Sequence, residues 1–246
     1  MIRCLDKFLY ALKKTSPNLF YKLRHRYYNL IGLRDWFQVK YSAVRSSGES
    51  DPYDEKFWSL KPYTDWASFA GVIIEYTKPS SILDVGCGSG MLLGAFKKHL
   101  PNAYLLGLDN SPAALRMARD AGLPVRRIDI IDQSKEEVRD LCNGLGFFDL
   151  VVCLEVAEHF PPWHSRKIIK LLTGVTDLIV FSAAHGNQGG TLHVNEQPAE
   201  YWIKKFRKEG FSLSTADDRF RRALGNLDIG WYYQRNIHIF ERTICV

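Results

Sequence analysis

Apolar residues along this chain fall into two rhythms. Short apolar runs at 82–85, 104–109, 125–131, 148–155, 178–182, 211–215 and 236–242 read as seven strands. Helical spacing lies between the first five. Trp66, Phe69, Ile73 and Ile74 share one helix face ahead of the first strand, and Met91, Leu92, Ala95 and Phe96 share another after it. Asn110-Ser111-Pro112 opens a helix with proline suited to its first turn. Pro161 and Pro162 start one that runs through Leu172, and a helix over 198–208 is closed by Gly210. Strands alternating with helices predict an α/β domain built on a mainly parallel sheet.

The first part of the chain reads differently. Ile2, Leu5, Leu9 and Leu12 form an amphipathic stripe, and Leu19, Leu23, Tyr27 and Leu30 form a second. Residues 42–52 are rich in serine, with glycine and proline, and read as a linker. The expected organisation is a basic amphipathic helical extension over 1–59 and the α/β domain over 60–246.

Charge sharpens that division. Residues 1–46 hold ten Lys/Arg against Asp6 and Asp35, so the extension carries +8 of a chain whose net charge is +6. The basic character therefore belongs to the extension. At 246 residues and 46% hydrophobic content the chain supports one full core. Five scattered cysteines, an odd number, argue against a disulfide framework or a zinc site. No apolar run approaches the ~18 residues of a membrane helix. Asp6, Lys7, Lys13 and Lys14 interrupt any signal-peptide core. The expected location is the reducing cytoplasm.

Candidate chemistry centres on Ile82-Leu83-Asp84-Val85-Gly86-Cys87-Gly88-Ser89-Gly90. A strand runs into a turn with glycine at alternate positions, and a helix follows. Such a turn presents backbone N–H groups at the carboxyl edge of a parallel sheet. The spacing is G-x-G-x-G, whereas a dinucleotide fingerprint reads G-x-G-x-x-G. Asp84 would repel a pyrophosphate and suits an ammonium group. The second strand ends in Asp109, about twenty residues further on, where an acid can grip both hydroxyls of a ribose. The third segment carries Asp129 and the fourth ends in Glu155.

These four motifs, in this order and over 80–242, resemble the class I S-adenosylmethionine-dependent methyltransferases. The resemblance implies a Rossmann-like seven-stranded sheet in the order 3-2-1-4-5-7-6, the last strand antiparallel. It implies S-adenosylmethionine as methyl donor across the carboxyl ends of strands 1, 2 and 4. Asp84, Gly86 and Gly88 would hold the donor's amino-acid part, with Gly90 allowing close packing. Asp109 and Asn110 would meet the ribose, Asp129 and Ile130 the adenine, and Leu154 and Glu155 would shape the pocket.

After the fourth strand comes Glu155-Val156-Ala157-Glu158-His159, and His193 lies downstream. Three readings stand side by side. Glu155 shapes the donor pocket while Glu158 and His159 form a structural turn. Alternatively His159 or His193 is a general base, since imidazole titrates near neutrality. Or Glu155, Glu158, His159 and His193 hold Mg²⁺ or Mn²⁺, as the pattern resembles the metal site of small-RNA 2′-O-methyltransferases. Tyr53, Phe57 and Trp58 are read either as a lid or as a helix packed on the domain. His238 on the last strand reads as structural, His99 and His164 as solvent-facing, and Trp202 as core.

The acceptor is expected to be an oxygen on a small molecule or glycan, by analogy of the segment 193–202 with enzymes of that group. An RNA 2′-O-methyltransferase is the alternative, with the extension reaching phosphates. Residues 1–46 could instead meet an anionic membrane surface. A non-catalytic donor-binding partner is the rival of another class, and the intact Asp84 and Asp109 argue against it. No feature of the sequence fixes an oligomeric state.

Overall fold

The computed structural model describes Tyr53 and residues 55–59, 64–186, 188–190 and 192–243. The expected helices of the basic extension, and contacts made through residues 1–46, lie outside the described residues. The chain divides into two compact units, 1–51 with 186–189, and 52–185 with 190–246. The second unit contains the sheet.

Its elements follow in order. Helix α1 is Glu55–Ser59 and α2 is Trp66–Thr77; strand β1 is Ser81–Val85, α3 is Met91–His99, β2 is Tyr104–Asp109 and α4 is Pro112–Asp120. Strand β3 is Val125–Arg127, α5 is Lys135–Leu145, β4 is Leu150–Leu154, and a single 3₁₀ turn covers Ala157–His159. Then come α6 Ser165–Gly174, β5 Leu178–Ser182, α7 Ala199–Lys208, β6 Phe211–Leu213, α8 Asp217–Leu224, α9 Trp231–Asn236 and β7 His238–Arg242.

The seven strands form one sheet in the order β3-β2-β1-β4-β5-β7-β6. Strands β3, β2, β1, β4 and β5 pair in parallel, and β7 runs antiparallel to both β5 and β6. The expected fold class and strand order are therefore observed.

Period-two alternation explains how the sheet is covered. Leu83, Val85, Val151, Cys153, Ile179 and Phe181 face α5, α6 and α7. Ile82, Leu105, Leu150, Val152 and Val180 face α2, α3, α8 and α9. Both faces are buried, so the central strands are nearly all apolar. The exception is Asp84, which sits on the α2–α3 side yet is only 4% exposed.

Local chemistry sets the helix starts. The Asp65 carboxylate accepts from the Ser68 amide at 3.0 Å. Ser111 caps α4 through the Ala114 amide, with Pro112 in the first turn as expected. Ser134 and Glu137 close a full capping box on α5.

Several boundaries differ from expectation for visible reasons. Strand β3 stops at Arg127, because Asp129 Oδ1 accepts from the Ile131 amide at 3.1 Å and turns the chain. Strand β6 stops at Leu213, because the Asp217 amide donates to the Ser214 carbonyl. Helix α6 begins at Ser165, after a turn in which the His164 and Ser165 amides donate to the Pro161 carbonyl. Strand β7 begins at His238, since Asn236 ends the unforeseen helix α9.

His238 is structural, as expected. Its Nδ1 lies 2.9 Å from Asp217 Oδ2, and Asp217 Oδ1 accepts the Ile239 amide at 2.8 Å. His99 is exposed and His164 is half-buried. Trp202 is core, 2% exposed.

The α7 face carries a testable share of this packing. Phe206 is fully buried and stacks on Phe240 with ring centroids 4.2 Å apart. Phe206→Ala is expected to cost about 3–5 kcal/mol through lost burial and the cavity left behind. Urea denaturation should show a lower midpoint at an unchanged slope; a cost under about 1 kcal/mol would contradict this packing.

Candidate active site

The loop after β1 supplies the first wall of the site. Gly86, Gly88 and Gly90 all have positive φ, at 80°, 54° and 80°. Gly86 also has no room for a side chain, since a Cβ there would stand 2.2 Å from Val156 Cγ2. The Gly86 and Cys87 amides donate to the Leu108 carbonyl at 2.7 and 3.0 Å, which ties the loop to β2.

Asp109 completes that tie. Its Oδ2 accepts from the Gly88 amide and its Oδ1 from the Ser111 amide, each at 2.8 Å. Asp129 follows β3, where its Oδ2 accepts from Asn110 Nδ2 at 3.1 Å. Ile130, beside it, is buried in the core against β2 and α5.

Asp84 lies behind this wall, 4% exposed. Burial raises its pKa to about 7, and the Asp109 carboxylate adds to the shift. The site therefore holds a carboxyl group poised at neutrality, and a cation beside it would favour the charged form.

The second wall follows β4. Leu154 ends the strand, half-buried on the α2–α3 side. Glu155 adopts a left-handed backbone with φ 55°, a strained conformation for a side chain of this kind. Its amide donates to the Ser182 carbonyl and to Ser182 Oγ, each at 3.1 Å. Asn236 Nδ2, from the end of α9, donates to Glu155 Oε1 at 3.2 Å.

Glu158 and the two histidines form a separate group. The Glu158 side chain is fully buried, and neither of its oxygens has a hydrogen-bond partner among the described residues. Its pKa is pushed well up by burial, and Glu155 and Glu196 raise it further, although the amides of Glu158 and Ala184 pull the other way. His193 Nε2 lies 3.8 Å from Glu158 Oε1, and the rings of His159 and His193 are 4.9 Å apart. One ligand atom from each of Glu158, His159 and His193 falls within 4.8 Å of the others. That spacing, with an orphaned buried carboxylate, fits a divalent cation at about 2.0–2.4 Å from each atom. Glu155 stands outside this group.

Tyr53 and α1 lie over the carboxyl ends of β1, β2 and β4. The Tyr53 carbonyl accepts from Trp58 Nε1 at 2.9 Å and from Ser111 Oγ at 3.2 Å. Its hydroxyl is 3.3 Å from His159 Nδ1. The Trp58 ring rests on Gly88, where an added Cβ would be 2.4 Å from Cζ3. Trp58 on the glycine loop and Tyr53 on His159 thus bridge the loop and the β4 turn, with the Phe57 ring packed edge-on against both. Asn236, Ser182 and Glu196 are the site residues that the sequence reading missed. Only Glu196 carried a signal, three residues after His193 in a polar loop.

Comparison with known proteins agrees with this geometry. Residues 83–179 match the family model of a methyltransferase domain. Over 114 residues the chain is 32% identical to a ribosomal RNA small subunit methyltransferase C of Haemophilus influenzae, covering 46% of this chain and 31% of that protein. Over 84 residues it is 32% identical to a ubiquinone biosynthesis O-methyltransferase of Coxiella burnetii, covering 34% of each. The matches span about a third of the length of these curated relatives. A solved structure of a SAM-bound amino pentose methyltransferase from Micromonospora echinaspora, involved in calicheamicin biosynthesis, shares the fold. It aligns with TM-score 0.51 and 18% identity over 84% of this chain and 98% of that one. Sheet order, glycine loop and these matches together define the class: residues 83–179 match a methyltransferase domain, and the fold is that of the class I S-adenosylmethionine-dependent methyltransferases.

Asp84 yields a stability prediction whose sign is set by its raised pKa. Between its ordinary value of 3.8 and about 7 the folded chain binds a proton that the unfolded chain has lost. Stability from this group is therefore present at low pH and lost as pH rises through 7. Asp84→Asn removes that loss, so the ligand-free variant should be more stable than the parent at pH 8 by about 4 kcal/mol, about 1.4 kcal/mol for each unit of the rise. The two should converge near pH 4 in denaturant titrations. A variant less stable than the parent at pH 8 would contradict the burial argument.

Proposed function

We propose that this chain transfers a methyl group from S-adenosylmethionine to an oxygen of a small molecule or glycan. The observation that carries this reading is the acid-lined carboxyl edge, with Asp84 buried and poised at neutrality behind the glycine loop. Such an edge suits a ligand bearing positive charge and disfavours a pyrophosphate.

When bound, S-adenosylmethionine supplies a methyl group already activated on a sulfonium, so the protein's task is alignment, charge complementarity and exclusion of water. Asp84 receives the ammonium group, and the loop around Gly86 and Gly88, which has no room for side chains, lets the rest of the donor's amino-acid part approach the backbone. Asp109, at the carboxyl end of β2, receives the ribose hydroxyls, with Asn110 beside it. Asp129, Ile130 and Leu154 line the adenine side, and Glu155 bounds the pocket next to the transferred group. Tyr53, Phe57 and Trp58 cover the cleft and keep water out.

With no metal bound, the lone pair of His193 or His159 accepts the proton of the acceptor hydroxyl. In the alternative arrangement Glu158, His159 and His193 are the residues that would hold Mg²⁺ or Mn²⁺, which would lower the pKa of a bound hydroxyl in place of a histidine base. The ubiquinone-pathway O-methyltransferase and amino pentose methyltransferase similarities support a small acceptor. The similarity to a ribosomal RNA methyltransferase favours RNA as the second reading. The proposed setting is the cytoplasm; among the described residues no helix is long and apolar enough to cross a membrane.

Methyl-labelled donor and a fractionated cell extract test both points together. Label is expected in small metabolites or glycans, to disappear with a chelator and to return with added Mg²⁺ or Mn²⁺. Label in RNA would promote the second reading. Full turnover in the chelator would reject the metal and leave a histidine base acting alone.

A further inference from the structure

His193 lies between two buried carboxylates at unequal distances. Nδ1 is 3.1 Å from Glu196 Oε1, within hydrogen-bond reach, whereas Nε2 is 3.8 Å from Glu158 Oε1, beyond it. The Glu196 side chain is 3% exposed and that of His193 12%. Neither residue is held by a mobile surface contact. The amides of Val194 and Asn195 donate to the Glu158 carbonyl at 3.0 and 2.9 Å, and the Gln197 amide donates to the Ala184 carbonyl at 3.1 Å. The loop that carries His193 and Glu196 is thus pinned to the backbone that carries Glu158. Gly190 closes the ring in from the other side, since an added Cβ there would stand 2.3 Å from His193 Cε1.

A neutral imidazole has one N–H and one lone pair, and the stronger acceptor decides which nitrogen keeps the proton. Were the proton on Nε2, the Nδ1 lone pair would face the Glu196 carboxylate at hydrogen-bond distance, two acceptors repelling in a buried site. With the proton on Nδ1, Glu196 is satisfied and the Nε2 lone pair points toward Glu158.

We infer that Glu196 is a positioning residue: it accepts Nδ1–H, fixes the tautomer of His193, and aims the Nε2 lone pair into the space bounded by Glu158 and His159. The inference rests on the reading of His193 as a functional group, because that lone pair is what a base or a metal ligand requires. The role assigned to Glu196 is exercised through His193.

Long-range ¹H–¹⁵N correlation of ¹⁵N-histidine-labelled protein at pH 8 reads the tautomer directly, and Mn²⁺ titration followed by electron paramagnetic resonance reads the ligand set. The parent is expected to show His193 protonated at Nδ1 only. Glu196→Ala should lose that preference and bind Mn²⁺ about 10–100-fold more weakly, while its S-adenosylmethionine affinity stays at the parent value. Glu196→Gln keeps the size and an accepting oxygen. It should retain the tautomer with an intermediate Mn²⁺ affinity, and it carries the test should the alanine variant fail to unfold cooperatively. A tautomer that shifts in a protein that never binds Mn²⁺ supports the positioning role and removes the metal. An Nε2–H tautomer in the parent, or an unchanged tautomer in Glu196→Ala, would overturn the inference even where Mn²⁺ binds normally.

Discussion

The hydrogen bond from the Gly88 amide to Asp109 is the tie on which the site depends. It joins the loop leaving β1 to the end of β2, and the same carboxylate reaches the Ser111 amide that starts α4. One acid thereby fixes the loop, the strand end and the next helix start relative to one another. The glycines make this possible. A Cβ at Gly86 would strike Val156, and one at Gly88 would strike Trp58. The tie has an electrostatic consequence, since it brings Asp109 close enough to Asp84 to help hold that buried acid protonated near neutrality.

Charge at this edge is arranged in two places. Asp84 and Asp109 face the glycine loop, and Glu158 and Glu196 flank His193 beyond β4. Glu155 lies between the places, with a strained backbone and an amide partner in Asn236. Each group of acids is costly in an empty protein, because like charges in a dry setting raise one another's pKa. A cationic donor at the first and a proton or divalent cation at the second would relieve that cost. Stability of the ligand-free chain is given up at the positions that bind, a common feature of functional sites.

Much of this was legible from the residues. Strands β1, β2, β4 and β5 are buried on both faces, so their apolar runs stand out from polar surroundings. Asp84, the glycines and Asp109 were readable because close backbone approach and a strand-end acid leave local signatures. What was not legible depends on tertiary contact. Helices α8 and α9 are short and rich in charged or aromatic residues, and only the burial of Phe220, Leu224 and Tyr233 explains why they form. Asn236 reaches Glu155 across 81 residues, and no local pattern announces such a partner. One of the three readings of the string from Glu155 to His159, taken with His193, was a metal site of four ligands including Glu155. The 3₁₀ turn brings only Glu158 and His159 to His193 and leaves Glu155 on Asn236.

Asp84, buried with a pKa of about 7, would ionise fully if the proposed cationic donor settled beside it. Calorimetric titration of the chain with S-adenosylmethionine at pH 7, repeated in buffers of different ionisation enthalpy, tests it most directly. Donor binding should release about half a proton, because a group with a pKa of about 7 loses its bound share when an ammonium settles beside it. Affinity should fall as pH is lowered below 7. Binding with no proton release and no pH dependence between 6 and 8, or no binding of the donor at all, would contradict the account.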